Sequence, residues 1–250
     1  MGKRSNESSE ASASKKQKEE GKKPWKYAKH VTANVESTAP FFTDNSIELT
    51  PSSKLKSVDP LLSFDNIKFP KKLQKQLTSS FKAPTPIQSI SWPVVLQGHD
   101  FVGIAATGSG KTLAFGIPAL IHVRNRCASQ PESAGSTCCL VLSPTRELAM
   151  QIQEQLETFG KKTDITSIVL YGGVSKQDQK KALQKGADVI VATPGRLLDL
   201  IDDGAVDLST VNFFVLDEAD RMLDLGFEKD IIRIVEMLPK KDERQTVMFR

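Results

Sequence analysis

With 250 residues, the chain is long enough for one large α/β domain and a tail. It carries 34 Lys and Arg against 30 Asp and Glu, a net charge of +4, and 39% of its residues are hydrophobic. No run of about 18 apolar residues occurs, which argues against a membrane span, and the basic N-terminus lacks the apolar core of a secretory signal.

Residues 1–60 are rich in Ser, Lys, Glu and Ala and predict a disordered tail, because so few aliphatic groups cannot offset ordering entropy. They hold 11 basic and 8 acidic residues, leaving 23 and 22 for the rest, so +3 of the net charge lies in the tail. The folded part is nearly neutral and must bind any polyanion through local clusters. The Lys-rich stretches "GKR" and "KKQKEEGKK" suit nuclear import, an RNA-tethering arm or a solubilising tail. In "KPWKYAKH", Trp25 and Tyr27 between lysines have the character of base-stacking side chains.

Residues 61–250 read as one α/β unit. "DFVGIAA" (100–106), "TCCLVLS" (137–143), "TSIVLYG" (166–172), "ADVIVAT" (187–193), "VNFFVLD" (211–217) and "RQTVMF" (244–249) have strand-like length, and most are β-branched. Helical stretches separate them: 110–125, 145–160, 176–186, 194–203 and 227–238. The alternation predicts a mostly parallel sheet with helices on both faces, a three-layer αβα domain. Such sheets bind ligands at the carboxyl ends of their strands. "ASQPESAGST" (128–137) reads as a flexible surface loop. Cys127, Cys138 and Cys139 have neither disulfide nor metal-ligand spacing and read as small hydrophobes or loop thiols in a reducing compartment.

"AATGSGKT" (105–112) follows the first strand and opens a helix, the setting a phosphate-binding loop needs. Backbone N–H groups of Ala105, Ala106, Thr107, Gly108, Ser109 and Gly110 converge on phosphate oxygens at a helix N-terminus. Lys111 supplies a point charge to the β and γ phosphates, and the Thr112 hydroxyl suits Mg²⁺. Ala105 stands where the general pattern has Gly, a replacement tolerable where φ stays negative. Further along, "FFVLDEAD" drives a buried strand into Asp217 and Glu218. A carboxylate there is costly unless it meets a cation or a partner. Asp217 is the expected Mg²⁺ anchor; Glu218, on the opposite side by strand alternation, is the expected general base. Helix capping is the plainer alternative for the pair.

Together, "AATGSGKT" and "DEAD" (217–220), with "APTPIQ" (83–88), "PTRELA" (144–149), "YGG" (171–173) and "TPGR" (193–196), resemble the DEAD-box RNA helicases, in family order over residues 64–249. The resemblance implies a RecA-like ATP-binding domain, with ATP and Mg²⁺ as cofactors and single-stranded RNA as partner. Alanine at position 105 is usual in that family. Gln88 and Thr85, in the Q motif at 62–90, would read adenine; Phe64, 17 residues before Phe81, matches the upstream aromatic that packs on the base. Here Ser80 replaces the usual Gly before Phe81. Pro144, Thr145, Arg146, Gly172, Gly173, Thr193, Pro194, Gly195 and Arg196 would follow an RNA backbone without reading bases. Thr145 and Thr193 are also plausible helix caps. Asp220 would couple this domain to a second one.

In the family, a strand like "QTVMF" runs into Ser-Ala-Thr, and a second RecA-like domain supplies an arginine finger. Arg250 occupies the serine position, so the resemblance implies a truncated chain of low activity, or a non-catalytic product competing with the full enzyme. "LLSFDNIKFPKKLQKQL" (61–77) and the Lys-rich tail look most like the nuclear, ribosome-assembly subgroup, implying a monomer acting on pre-ribosomal particles in the nucleus or nucleolus.

Overall fold

Hydrophobic strands buried on both faces need helices above and below, and that is what forms. The computed structural model describes residues 24–25, 35–50, 57–130, 135–161 and 163–250. Six strands, β1 (Phe101–Gly103), β2 (Cys139–Leu142), β3 (Ser167–Leu170), β4 (Val189–Ala192), β5 (Phe213–Leu216) and β6 (Gln245–Phe249), make one sheet in the order β1-β6-β5-β2-β4-β3. Every pairing is parallel. Each strand is shorter than its apolar run, because the run's ends form the turns that carry the site.

Strand residues divide by period two. Val141, Val191, Phe213, Val215 and Phe249 enter a core with Trp92, Phe115 and Leu156. Leu140, Leu142, Ile190, Phe214 and Leu216 enter a second core with Leu197, Leu200, Met222 and Ile234. The first is roofed by α2 (Lys71–Ser80), α3 (Pro86–Val95), α4 (Lys111–Ser129) and α5 (Arg146–Gly160). The second is roofed by α7 (Pro194–Asp202), α8 (Ala219–Asp224) and α9 (Glu228–Glu236), while α6 (Lys176–Gln184) sits beside edge strand β3.

Two of the helices packed on the sheet, α3 and α4, carry internal prolines, and both backbone gaps are filled. Pro93 in α3 cannot donate to Ser89 O, which instead accepts from Leu61 N–H at 2.9 Å. Pro118 in α4 cannot donate to Ala114 O, which accepts from Ser91 Oγ at 3.3 Å. Trp92 Nε1 donates to the adjacent Leu113 O at 3.0 Å. These bonds fasten α3 to the helix that opens at Lys111.

The expected tail requires correction where it is described. Val35–Asp44 form a helix, α1. Trp25 lies on the domain: Asn125 accepts from its backbone N–H (2.6 Å) and donates to its carbonyl (2.8 Å), its indole donates to Lys68 O (2.6 Å), and its ring stacks on Phe69. A protein ring, rather than an RNA base, covers this indole. The Lys-rich clusters within 1–23, Tyr27, and 131–134 of the expected surface loop lie outside the described residues. Cys138 and Cys139 are buried, and burial pushes the Cys138 thiol up to about 12, so both stay protonated and inert.

Candidate nucleotide and RNA site

The sequence-selected loops lie after the carboxyl ends of strands, except the segment 83–88, which joins α2 to α3. The phosphate loop leaves β1 at Gly103 and enters α4 at Lys111. Its start is laced to the end of β6: Ala105 N–H donates to Arg250 O and Arg250 N–H to Gly103 O, both at 3.0 Å. The left-handed angles fall at Gly108 (φ +80°) and Gly110 (φ +93°), not at Ala105. Alanine at 105 therefore costs nothing conformationally. Gly110 is needed twice over, since a Cβ there would stand 2.6 Å from Gln88 Nε2.

Lys111 Nζ reaches back across the loop to Ala105 O at 2.8 Å. Gln88 is buried at the first turn of α3; its Oε1 accepts from Thr85 N–H (3.1 Å) and its Nε2 donates to Gly110 O (3.1 Å). One lone pair and one N–H remain on that amide. The segment expected to read adenine and the expected phosphate loop are thus joined by a direct bond. Phe81, the C-cap of α2, is 43% exposed. Phe64 must be corrected: it is 3% exposed and packs on Trp92, 6.0 Å between ring centroids, so it cannot lie on a base.

Across β6 stands Asp217, 2% exposed, with its N–H donating to Leu142 O and its Oδ1 without a hydrogen-bond partner. Burial pushes its carboxyl up to about 6, against the pull of Lys111 and reinforced by Glu218. Glu218 adopts φ +52°, ψ +51°, and its Oε2 lies 3.3 Å from Arg221. Its direction is set by this left-handed turn, not by strand alternation, because β5 has ended at Leu216. Left-handed non-glycine backbone is uncommon and concentrates at functional sites. Asp220 is exposed in the first turn of α8.

The group implied by the resemblance fits these donors. A buried orphan carboxylate oxygen and the Thr112 hydroxyl suit a hard divalent cation such as Mg²⁺. Among the described residues no three His, Cys, Asp or Glu form a metal cluster, so a cation held there would need phosphate oxygens and water to complete its shell.

The three remaining loops follow β2, β3 and β4. Pro144 is buried, and Thr145 caps α5, its hydroxyl accepting from Leu148 N–H at 3.3 Å. Arg146 is exposed, pairs with Glu147, and comes close to Gly173, where an added Cβ would meet its guanidinium at 3.3 Å. Gly172, Gly173 and Gly195 are exposed, Pro194 is buried, and Thr193 N–H donates to Leu170 O. Thr193 caps α7 without a side-chain bond. Arg196 differs from the expectation: its side chain is only 11% exposed, and its terminal nitrogens donate to Val174 O and Gln179 Oε1.

Residues 85–249 match the model of the DEAD/DEAH box helicase family. The chain belongs to that family. It is 52% identical over 209 residues to the ATP-dependent RNA helicase DBP3 of Lodderomyces elongisporus, covering 84% of this chain and 37% of that protein. It is 50% identical to the DBP3 of Candida glabrata over the same shares. A crystal structure of a hypothetical ATP-dependent RNA helicase from Sulfolobus tokodaii superposes with a TM-score of 0.62 at 34% identity, over 72% of this chain and 50% of that one. The fold is RecA-like, and the chain spans about 37% of the length of these curated relatives. Within the DEAD-box frame, Gln179 and Ser91 escaped the sequence reading. No motif contains them, and their roles arise from tertiary bonds alone.

Proposed function

We propose that this chain is the ATP- and RNA-binding RecA-like half of a DEAD-box RNA helicase, with local duplex opening or ribonucleoprotein remodelling as the activity of the whole protein. One observation carries the reading: the lysine-bearing phosphate loop and a buried Asp217, one carboxylate oxygen of which has no hydrogen-bond partner, flank the same strand β6. In the bound state the Lys111 ammonium exchanges Ala105 O for phosphate oxygens, and N–H groups at the start of α4 receive the remaining charge. Gln88 offers its free donor and acceptor to the adenine edge, and Phe81 is the aromatic available to cover the base. Asp217 and Thr112 would hold a divalent cation, which would supply neutralisation of the phosphate charge. Glu218 leaves Arg221, orients a water and accepts its proton. Asp220 is positioned for coupling to a second domain. Arg146, with the exposed backbone at Gly172, Gly173 and Gly195, holds the RNA backbone independently of sequence.

The Lys-rich N-terminal segment and the resemblance of 61–77 to the ribosome-assembly subgroup support pre-ribosomal RNA as substrate, a nuclear or nucleolar location and a monomeric state. Calorimetric titration with a non-hydrolysable ATP analogue and Mg²⁺ tests the nucleotide site: Lys111→Ala abolishes binding, whereas Glu218→Gln retains it and slows hydrolysis. Normal hydrolysis by Glu218→Gln would remove Glu218 from the role of base.

A further inference from the structure

The turn that carries Gly172 and Gly173 is held from beneath by two side chains on different elements. Gln179, buried in α6, donates from Nε2 to Tyr171 O at 3.0 Å. Its Oε1 accepts from Arg196 at 3.1 Å, and the same guanidinium donates twice to Val174 O, at 3.2 and 3.3 Å. The carbonyls on either side of the two exposed glycines are therefore both tied to the protein, through one connected network. The network also joins the turn after β3 to the first turn of α7, where Thr193 and Gly195 lie. Arg196 carries a largely buried charge, its nearest carboxylate being Asp199 at 3.8 Å; these bonds engage both terminal nitrogens, while Nε has no hydrogen-bond partner.

We propose that Gln179 is a positioning residue for RNA binding: with Arg196 it braces the Gly172–Gly173 turn from the protein side, and neither side chain contacts the RNA. The inference rests on the RNA-binding reading above. Phosphates meet backbone N–H groups of the turn, whose spacing the brace fixes in advance, and the Arg146 charge beside it.

Fluorescence-anisotropy titration of the 250-residue chain with a labelled oligouridylate, repeated across KCl concentrations, separates a brace from a ligand. A side chain that neutralises a phosphate contributes about 0.7 to the log–log salt slope on single strands. Arg146→Gln flattens the slope by that amount. Gln179→Leu and Arg196→Leu each weaken affinity by about tenfold and leave the slope at its wild-type value. The double variant loses little more than either single one, because the two act as a unit. Gln179→Glu, which still accepts from Arg196 but cannot donate to Tyr171 O, loses less. A slope flattened by Arg196→Leu, or full additivity, overturns the proposal.

Amide hydrogen exchange at residues 171–174 without RNA decides the brace on its own: the Leu variants and Gln179→Glu exchange faster there, while the phosphate loop is unchanged. Unaltered exchange overturns the brace even if RNA affinity falls. A wild-type chain that fails to bind RNA refutes the RNA reading, and the exchange result still stands or falls separately. Should the Leu variants not fold, Gln179→Glu carries both measurements.

Discussion

Asp217 is held in a state that the apo fold resists. Its carboxyl is pushed up to about 6 by burial, whereas the unfolded chain leaves it near 3.8. Between those pH values the native protein keeps a proton that the unfolded chain releases, so this group's contribution to stability falls as pH rises through the window. At pH 7 the buried charge costs about 3 kcal/mol. Asp217→Asn therefore raises Tm by about 5 °C or more at pH 7.5, the gain shrinking to nothing near pH 4, while binding of the Mg²⁺ form of the nucleotide is lost. Scanning calorimetry of both proteins from pH 4 to 7.5 measures this, and a gap that does not widen with pH refutes a strained carboxylate. Gly110→Ala has the opposite character. With φ +93° and a Cβ 2.6 Å from Gln88 Nε2, it destabilises by about 1–3 kcal/mol and weakens analogue binding in the same titration. At this scale Lys111, Asp217 and Glu218 could be picked out as candidates, because their side-chain chemistry and motif spacing are visible in the sequence, whereas the burial of Asp217 is not. Phe64 and Phe81 were not separable: both are aromatics in one motif, and only contact with Trp92 buries the first.

Among the elements, the strands were easy to read and α3 was not. Residues 88–95 are buried on every side, so α3 has no amphipathic stripe to find, and Pro93 lies inside it. What permits a proline there is a neighbour that takes over the orphaned carbonyl, which sequence periodicity cannot show. The same device gives a double-mutant prediction. Ser91→Ala leaves Ala114 O unsatisfied in the core and costs about 1–2 kcal/mol. In a Pro118→Ala background the new N–H of residue 118 can reach Ala114 O, so Ser91→Ala costs distinctly less. Urea denaturation of the four proteins gives the coupling energy. Equal costs in both backgrounds would mean that the serine does not compensate for the proline.

At the scale of the molecule, charge is divided unequally between arm and domain. Residues 61–250 are almost balanced, and of the two arginines in the loops proposed to hold RNA only Arg146 is exposed, Arg196 being used internally. The domain alone should thus show a shallow salt dependence, with little more than one phosphate neutralised by these motifs. Residues 1–23, in contrast, hold seven basic and four acidic side chains. If that segment tethers RNA, the salt slope of the whole chain exceeds what its domain can supply. Replacing Lys15, Lys16, Lys18, Lys22 and Lys23 by Gln should then flatten the slope by about 0.7 for each lysine that meets a phosphate. Affinity should fall at 50 mM KCl far more than at 300 mM. The Trp25 anchor sharpens the expectation, because it fixes the arm to the domain two residues after Lys23 and raises its local concentration near any RNA already held. Releasing that anchor with Trp25→Ala and Asn125→Ala together, lysines intact, should reduce affinity without changing the slope. Identical slopes for the wild-type and five-Gln proteins would assign the lysines to solubility, and leave RNA binding to the turns that Gln179 and Arg196 support.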